Sequence, residues 1–155
     1  MKVVVLCIGK TNESYLRQGI SIYLDRLPHY TPFEYIEMKD VKHPGNTVKL
    51  LEMEGKSYLA QVQAEDFLIL LDERGKEYTS EAMALYIEKH QINSTKKLVF
   101  AIGGAFGWSE EVKLRANATL SLSKMTFSHQ MIRLFLIEQL YRAFTIIKGE
   151  KYHNP

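Results

Sequence analysis

The sequence predicts an α/β fold with a mainly parallel sheet of about five strands flanked by helices. Three observations carry this. Short, nearly continuous apolar runs recur along the chain, as strands buried on both faces require. Segments with apolar residues at helical spacing separate them. No repeat, low-complexity tract or linker interrupts the alternation, so residues 1–155 are expected to form one domain.

The elements follow in order. Val3–Ile8 is a short β-branched run and the first strand. Leu16, Ile20, Tyr23 and Leu27 then recur at helical spacing, and Pro28 stops that helix. Phe33–Met38 alternates and reads as a second strand, and Val41–Asn46, with Pro44 and Gly45, as a loop. Val48, Leu51, Tyr58, Leu59 and Val62 mark a second helix, weakened by Gly55. Phe67–Leu71 is a third strand, expected to end in the polar turn Asp72-Glu73-Arg74-Gly75. Ser80 is a suitable N-cap for a helix carrying Met83, Tyr86 and Ile87 on one face. Leu98–Ile102 is a fourth strand running into Gly103-Gly104-Ala105-Phe106-Gly107. Ser109 caps a short helix with Glu110 and Glu111 in its first turn, where the macrodipole favours negative charge. Ala118–Leu122 is a fifth strand and Met131–Ile147 a long final helix.

Composition narrows the function classes. Apolar residues make up 46% and charged residues 25% of the 155, ordinary values that exclude disordered and collagen-like chains. No apolar run is long enough to span a bilayer, and no signal peptide is read at the N-terminus. The single cysteine, Cys7, lies in an apolar strand and has no internal partner, so a reducing, cytoplasmic setting is expected. A net charge of only +2 is weak for a protein that grips nucleic acid by electrostatics alone. It suits a metabolite enzyme, or an RNA-handling protein that reads shape or works within a larger assembly.

Ligands of open α/β sheets bind outside the carboxyl ends of the strands. Three such ends stand out: Leu71-Asp72, Gly103-Gly104, and Leu122-Ser123-Lys124-Met125-Thr126-Phe127. The glycines from Gly103 to Gly107 allow close approach of backbone to a ligand, or simply make a tight turn. They match neither the dinucleotide nor the triphosphate fingerprint. The five histidines show no metal-ligand spacing, so no metal is expected. Cys7 reads as a small core residue.

The final helix is apolar nearly all round, apart from Arg133, Glu138, Gln139, Arg142 and Thr145. One sheet covers one side only, so a twofold homodimer is expected to cover the other. Glu138 and Arg142 stand one turn apart and either make a simple helix salt bridge or mark function. Tyr152-His153 belongs either to a frayed terminus or to a site that orients a base and handles a proton. Near this end Lys124, Arg133, Arg142, Lys148 and Lys151 outnumber Glu138 and Glu150, which makes it the expected RNA-facing end.

Taken together, Ile102-Gly103-Gly104-Ala105-Phe106-Gly107, the run Leu120–Gln130, Arg133 with Ile137–Phe144, and Gly149-Glu150-Lys151-Tyr152-His153 are specific. With the opening Val5–Lys10 and the chain length, they resemble the ribosomal large subunit methyltransferase H family, small SPOUT-class methyltransferases. The residues after Gly104 depart mildly from the family's Gly-rich pattern, and Trp108 reads as packing or as an RNA-facing side chain. The resemblance implies an α/β knot with the C-terminal part threaded through a loop. It implies S-adenosylmethionine as methyl donor, contacted by Leu71, Gly103, Leu122, Ser123, Lys124, Met125, Thr126 and Phe127. The implied reaction is N3-methylation of a pseudouridine in helix 69 of large-subunit (23S) rRNA on the assembled ribosome. Within it His153 is expected to handle the proton, Tyr152 to stack or orient, Arg142 to stabilise charge and Glu138 to orient Arg142. His129 is a lesser candidate. A non-catalytic ribosome-binding module and a ribose 2′-O-methyltransferase are the alternatives.

Overall fold

The computed structural model describes residues 1–155. Five strands, β1 (Lys2–Ile8), β2 (Phe33–Met38), β3 (Phe67–Glu77), β4 (Lys97–Ile102) and β5 (Ala118–Ser121), form one sheet in the order β2-β1-β4-β3-β5. Every pairing is parallel. The helices are α1 (Ser14–Arg26), α2 (Thr47–Leu59), α3 (Ser80–Ile92), α4 (Glu110–Arg115) and α5 (Met131–Ile147).

The two faces of the sheet build two cores because side chains alternate along each strand. Val3, Val5, Cys7, Ile69, Leu98, Phe100 and Ile102 pack against α1, α3 and α5. Val4, Leu6, Ile8, Leu68, Leu70, Val99 and Ala101 pack beneath Tyr58 of α2 and Val112 of α4. This two-sided burial is why the strands read as unbroken apolar runs. Phe100 is fully buried, and truncating it to alanine is worth about 3–5 kcal/mol. No helix is long and apolar enough to cross a membrane.

Three local expectations are corrected. Asp72-Glu73-Arg74-Gly75 does not end β3; the strand continues to Glu77, with a register break against β5 between Leu71 and Lys76. At the break, a Cβ on Gly75 would lie 2.7 Å from the backbone of Leu120, so only glycine fits there. The polarity of this stretch reflects the cavity it lines rather than a chain reversal. Thr79, not Ser80, caps α3, accepting from the Ala82 N–H at 3.1 Å. Ser80 is the first helical residue, and its hydroxyl donates to Gln139 Oε1 of α5 at 2.8 Å. Finally, β5 ends at Ser121, one residue short of Leu122. Ser109 caps α4 as expected, and Pro28 sits in a 3-10 turn that closes α1.

Arg133 is the largest departure from the sequence reading. It is 1% exposed and takes no part in a basic surface. Its guanidinium donates to the carbonyls of Ile8 at 2.6 Å and Gly9 at 2.9 Å, and to Thr11 Oγ1 at 3.1 Å. Glu37 Oε2 stands 3.3 Å away, and the Nε–H reaches the His129 carbonyl at 3.2 Å. The side chain thus ties α5 to the ends of β1 and β2, and its charge is tolerated because each of its three nitrogens donates a hydrogen bond.

Candidate active site

A cavity of about 490 Å³ opens at the carboxyl edge of the sheet, where β3, β4 and β5 end side by side. Its size falls in the range of small-molecule sites, roughly 300–1,000 Å³. Leu71 to Arg74 form one wall, Ile102 to Ala105 with Gly107 and Trp108 a second, and Leu120 to Ser123 with Met125 to His129 a third. Of the eight residues expected to contact a cofactor, seven line it. The exception is Lys124, which turns outward, 87% exposed, with Glu77 4.0 Å away.

Trp108 packs beneath the cavity rather than facing solvent. It is 7% exposed, stands edge-on to Tyr58 and donates its indole N–H to the Leu71 carbonyl at 3.0 Å. A Cβ on Gly103 would come within 3.1 Å of the Trp108 ring, so glycine keeps that wall thin. In the third wall Ser121 Oγ donates to the Ser123 carbonyl, and Ser123 Oγ accepts from the Met125 N–H. The N–H groups of Thr126 and Phe127 make no hydrogen bond within the chain. Backbone donors beside Leu71, Leu122, Met125 and Phe127 make an apolar slot with polar backbone at its rim. That suits a nucleoside-sized ligand without phosphates, its ring between the apolar walls and its polar edge on the backbone.

From Leu122 to Gln130 the chain crosses from the β5 edge to the end of β1. There Gln130 donates to the Lys10 carbonyl and accepts from the Asn12 N–H. Asp72, named with Leu71 at a strand end, lines it too, and Glu73 and Arg74 join the lining without having been expected there. Their signal, a polar stretch directly after a buried strand, reads from sequence as an ordinary turn.

The second group of expected residues gathers elsewhere. Arg142 Nη2 donates to Glu138 Oε1 at 2.5 Å, and the Tyr152 hydroxyl donates to the same oxygen at 3.0 Å. The His153 ring bridges Arg142, through Nδ1 at 3.3 Å, and Glu81 Oε1, through Nε2 at 2.7 Å. The tail is therefore anchored rather than frayed. Glu81 of α3 is a member that sequence reasoning missed. The hydrogen bond from His153 draws its carboxyl down to about 2. Burial, with the hydroxyl of Tyr23 and the carboxylate of Glu138, pushes the Tyr152 phenol upward. Glu138 raises Arg142 further above its ordinary value, so the guanidinium stays charged. The Tyr152 ring lies edge-on to Tyr141 and 4.8 Å under the Arg142 guanidinium, an arrangement that orients neighbours and leaves little of the ring for a base.

Sequence comparison identifies the fold. A family model described as "Predicted SPOUT methyltransferase" matches residues 1–153. The chain belongs to the SPOUT methyltransferase family. Among relatives of this SPOUT chain is a protein of Cytophaga hutchinsonii, 50% identical over 99% of this chain and 100% of its own length. A protein of Christiangramia forsetii is 50% identical over 99% of both chains, and one of Parabacteroides distasonis 47% identical over the same shares. All three carry the name Ribosomal RNA large subunit methyltransferase H. In this SPOUT chain a second hollow of about 360 Å³ shares Leu120, Ser121, Leu122 and Phe127 with the carboxyl-edge cavity and reaches Ser80 and Gln139, the chain neighbours of Glu81 and Glu138. Arg142 stands nearly three helical turns beyond the cavity-lining Ile132, about 15 Å along α5.

Proposed function

We propose that this chain is an S-adenosylmethionine-dependent methyltransferase acting on N3 of a pseudouridine in helix 69 of large-subunit rRNA, on the assembled ribosome, as a homodimer. The observation that carries the reading is the cavity at three adjacent strand ends, whose backbone donors and apolar walls suit the adenosine of the methyl donor. The shared name of the full-length relatives supports the ribosomal substrate. The crossing from β5 to β1 beside the Gly103–Gly107 loop is consistent with the knotted path of the family.

S-adenosylmethionine, when bound, supplies a methyl group on a sulfonium, ready for in-line displacement. Leu71, Gly103, Leu122, Ser123, Met125, Thr126 and Phe127 would hold it. Lys124 is assigned to the mouth of the cavity rather than to its wall. Transfer to N3 forms a C–N bond, breaks the S–C bond and releases the imide proton. His153 is the proposed proton acceptor at Nδ1, which takes the imide proton as Arg142 turns from it to the developing charge, while Nε2–H stays on Glu81. Arg142 offsets the negative charge that develops on the imide, and Glu138 and Tyr152 fix Arg142 in place.

Reacting atoms must approach within roughly 3–3.5 Å. Arg142, about 15 Å along α5 from the cavity-lining Ile132, does not meet that requirement in its own subunit, so the Arg142–His153 pair of one subunit is assigned to the cavity of its partner. Side chains suited to that interface remain exposed: Met131 and Phe135 of α5 at 39% each, and Phe127 at 37%.

Labelled methyl transfer to ribosomes from a strain lacking the modification tests the reading, with naked rRNA and nucleoside mapping as comparisons. Methyl on N3 of the pseudouridine, with ribosomes much the better substrate, is expected. Methyl on a ribose, or saturable ribosome binding without transfer, would replace the reading by one of its alternatives. His153→Ala should lower kcat by about 10²–10⁴-fold and leave cofactor affinity unchanged.

A further inference from the structure

The mouth of the cavity has two rims of different electrical character. On one rim the charges are balanced: Arg74 faces Asp72, Lys124 faces Glu77, and Thr126 donates to Glu73. The other side continues past the cavity lining to the carboxyl ends of β1 and β2, where Lys10 follows β1, Lys39 and Lys42 lie in the loop after β2, and Lys49 stands in the first turn of α2. All four are exposed, and none has a carboxylate within 4.0 Å. Asp40 is the one acid between Lys39 and Lys49. Its carboxylate is turned to the end of β1, about 3.5 Å from where a Cβ on Gly9 would stand.

Phe106 rises beside this rim. It sits at the tip of a tight turn closed by the Gly107 N–H on the Gly104 carbonyl at 3.3 Å. It is 56% exposed, and its one aromatic neighbour is His43 of the lysine-bearing loop, edge-on at 5.9 Å. Neither Phe106 nor any of the four lysines has a partner in the chain that explains its placement. A large apolar ring held in water beside a row of unpaired ammonium groups matches single-stranded nucleic acid, whose bases stack on rings and whose phosphates attract lysine.

We infer that Lys10, Lys39, Lys42 and Lys49 form a phosphate track, and Phe106 a base-stacking platform, that lead substrate RNA into the carboxyl-edge cavity. This rests on the RNA-methyltransferase reading and adds the surface by which the RNA is held. Lys42 and Lys49 flank the start of α2, which packs on the face of the sheet opposite α5, whereas Lys10 adjoins the start of α5, its carbonyl accepting from Gln130. Two carboxylates share this edge, Asp40 beside Gly9 and Glu54 beside Gly104, so the four lysines leave a local excess of two positive charges over them.

The test compares two double variants of the full-length protein that lose equal charge. K39Q/K42Q alters the rim, while K2Q/K96Q alters the opposite edge of the sheet, where β1 and β4 begin. Binding to ribosomes lacking the modification is measured over a range of salt concentrations, and adenosylmethionine affinity is measured alongside. For K39Q/K42Q the slope of log affinity against log salt should shrink by about 1.4–1.8, at roughly 0.7–0.9 per phosphate contact. For K2Q/K96Q it should shrink by much less, and cofactor affinity should hold in both. F106L should raise the KM for ribosomes about ten-fold, and F106W should restore it, because stacking requires a π face. Equal slopes for the two double variants, or F106L behaving like F106W, would overturn the inference. Wild-type protein that neither binds nor methylates ribosomes would instead overturn the functional reading beneath it.

Discussion

At the scale of single residues, the cavity wall depends on one hydrogen atom. A valine at position 103 would drive its side chain into Trp108, already 3.1 Å from a Cβ placed there, and pull the indole from the Leu71 carbonyl. Gly103→Val should weaken adenosylmethionine binding by at least about ten-fold while the circular dichroism spectrum stays native, as titration calorimetry would show. Arg133 acts at a distance from any ligand. Arg133→Met removes the guanidinium's bonds to the Ile8, Gly9 and His129 carbonyls and leaves Glu37 with the Thr11 N–H but no cation. Breaking a buried pair costs about 3–5 kcal/mol. Glu37 keeps partial access to water, so the lower end is expected in urea unfolding.

At the scale of elements, α3 carries one part of the pH response, and His129 in the cavity wall, lowered by burial, another. His90 lies between Phe67 and Tyr86, with ring centroids at 4.4 and 4.9 Å, and burial followed by the Lys89 charge lowers its pKa. The unfolded chain therefore binds this proton more readily than the folded one just below pH 6.5. The sign follows from linkage: stability falls as pH drops from about 6.5 toward the lowered value, then levels off. His90→Gln should flatten the fall in melting temperature between about pH 6.5 and 5, relative to wild type, in scanning calorimetry. The break in β3 is a second effect at this scale. Residues 72–75 leave the ladder, place polar side chains at the cavity, and let Lys76 and Glu77 rejoin β5.

At the scale of the whole molecule, each cavity is expected to be completed by the partner's tail. Gly103→Val and His153→Ala disable different halves of such a composite site. Mixing the two inactive variants in equal amounts and allowing subunit exchange should restore about a quarter of wild-type transfer, since half the dimers are mixed and each has one intact site. No recovery, with exchange verified by mass spectrometry, would place tail and cavity in the same subunit.

Local pattern in the chain determined the strands, the helices and the three strand ends that wall the cavity. Buried parallel strands and amphipathic helices write their periods directly into neighbouring residues, as Val3–Ile8 and Leu98–Ile102 do. Tertiary structure alone decided that Arg133 is buried, that Asp72–Gly75 lies within a strand, that Glu81 meets His153, and that Arg142 stands nearly three turns beyond the cavity lining. Each of these turns on partners far apart in the chain, such as Arg133 with Ile8 or Leu71 with Leu120, and no local period records which distant carbonyl or carboxylate will arrive beside a side chain.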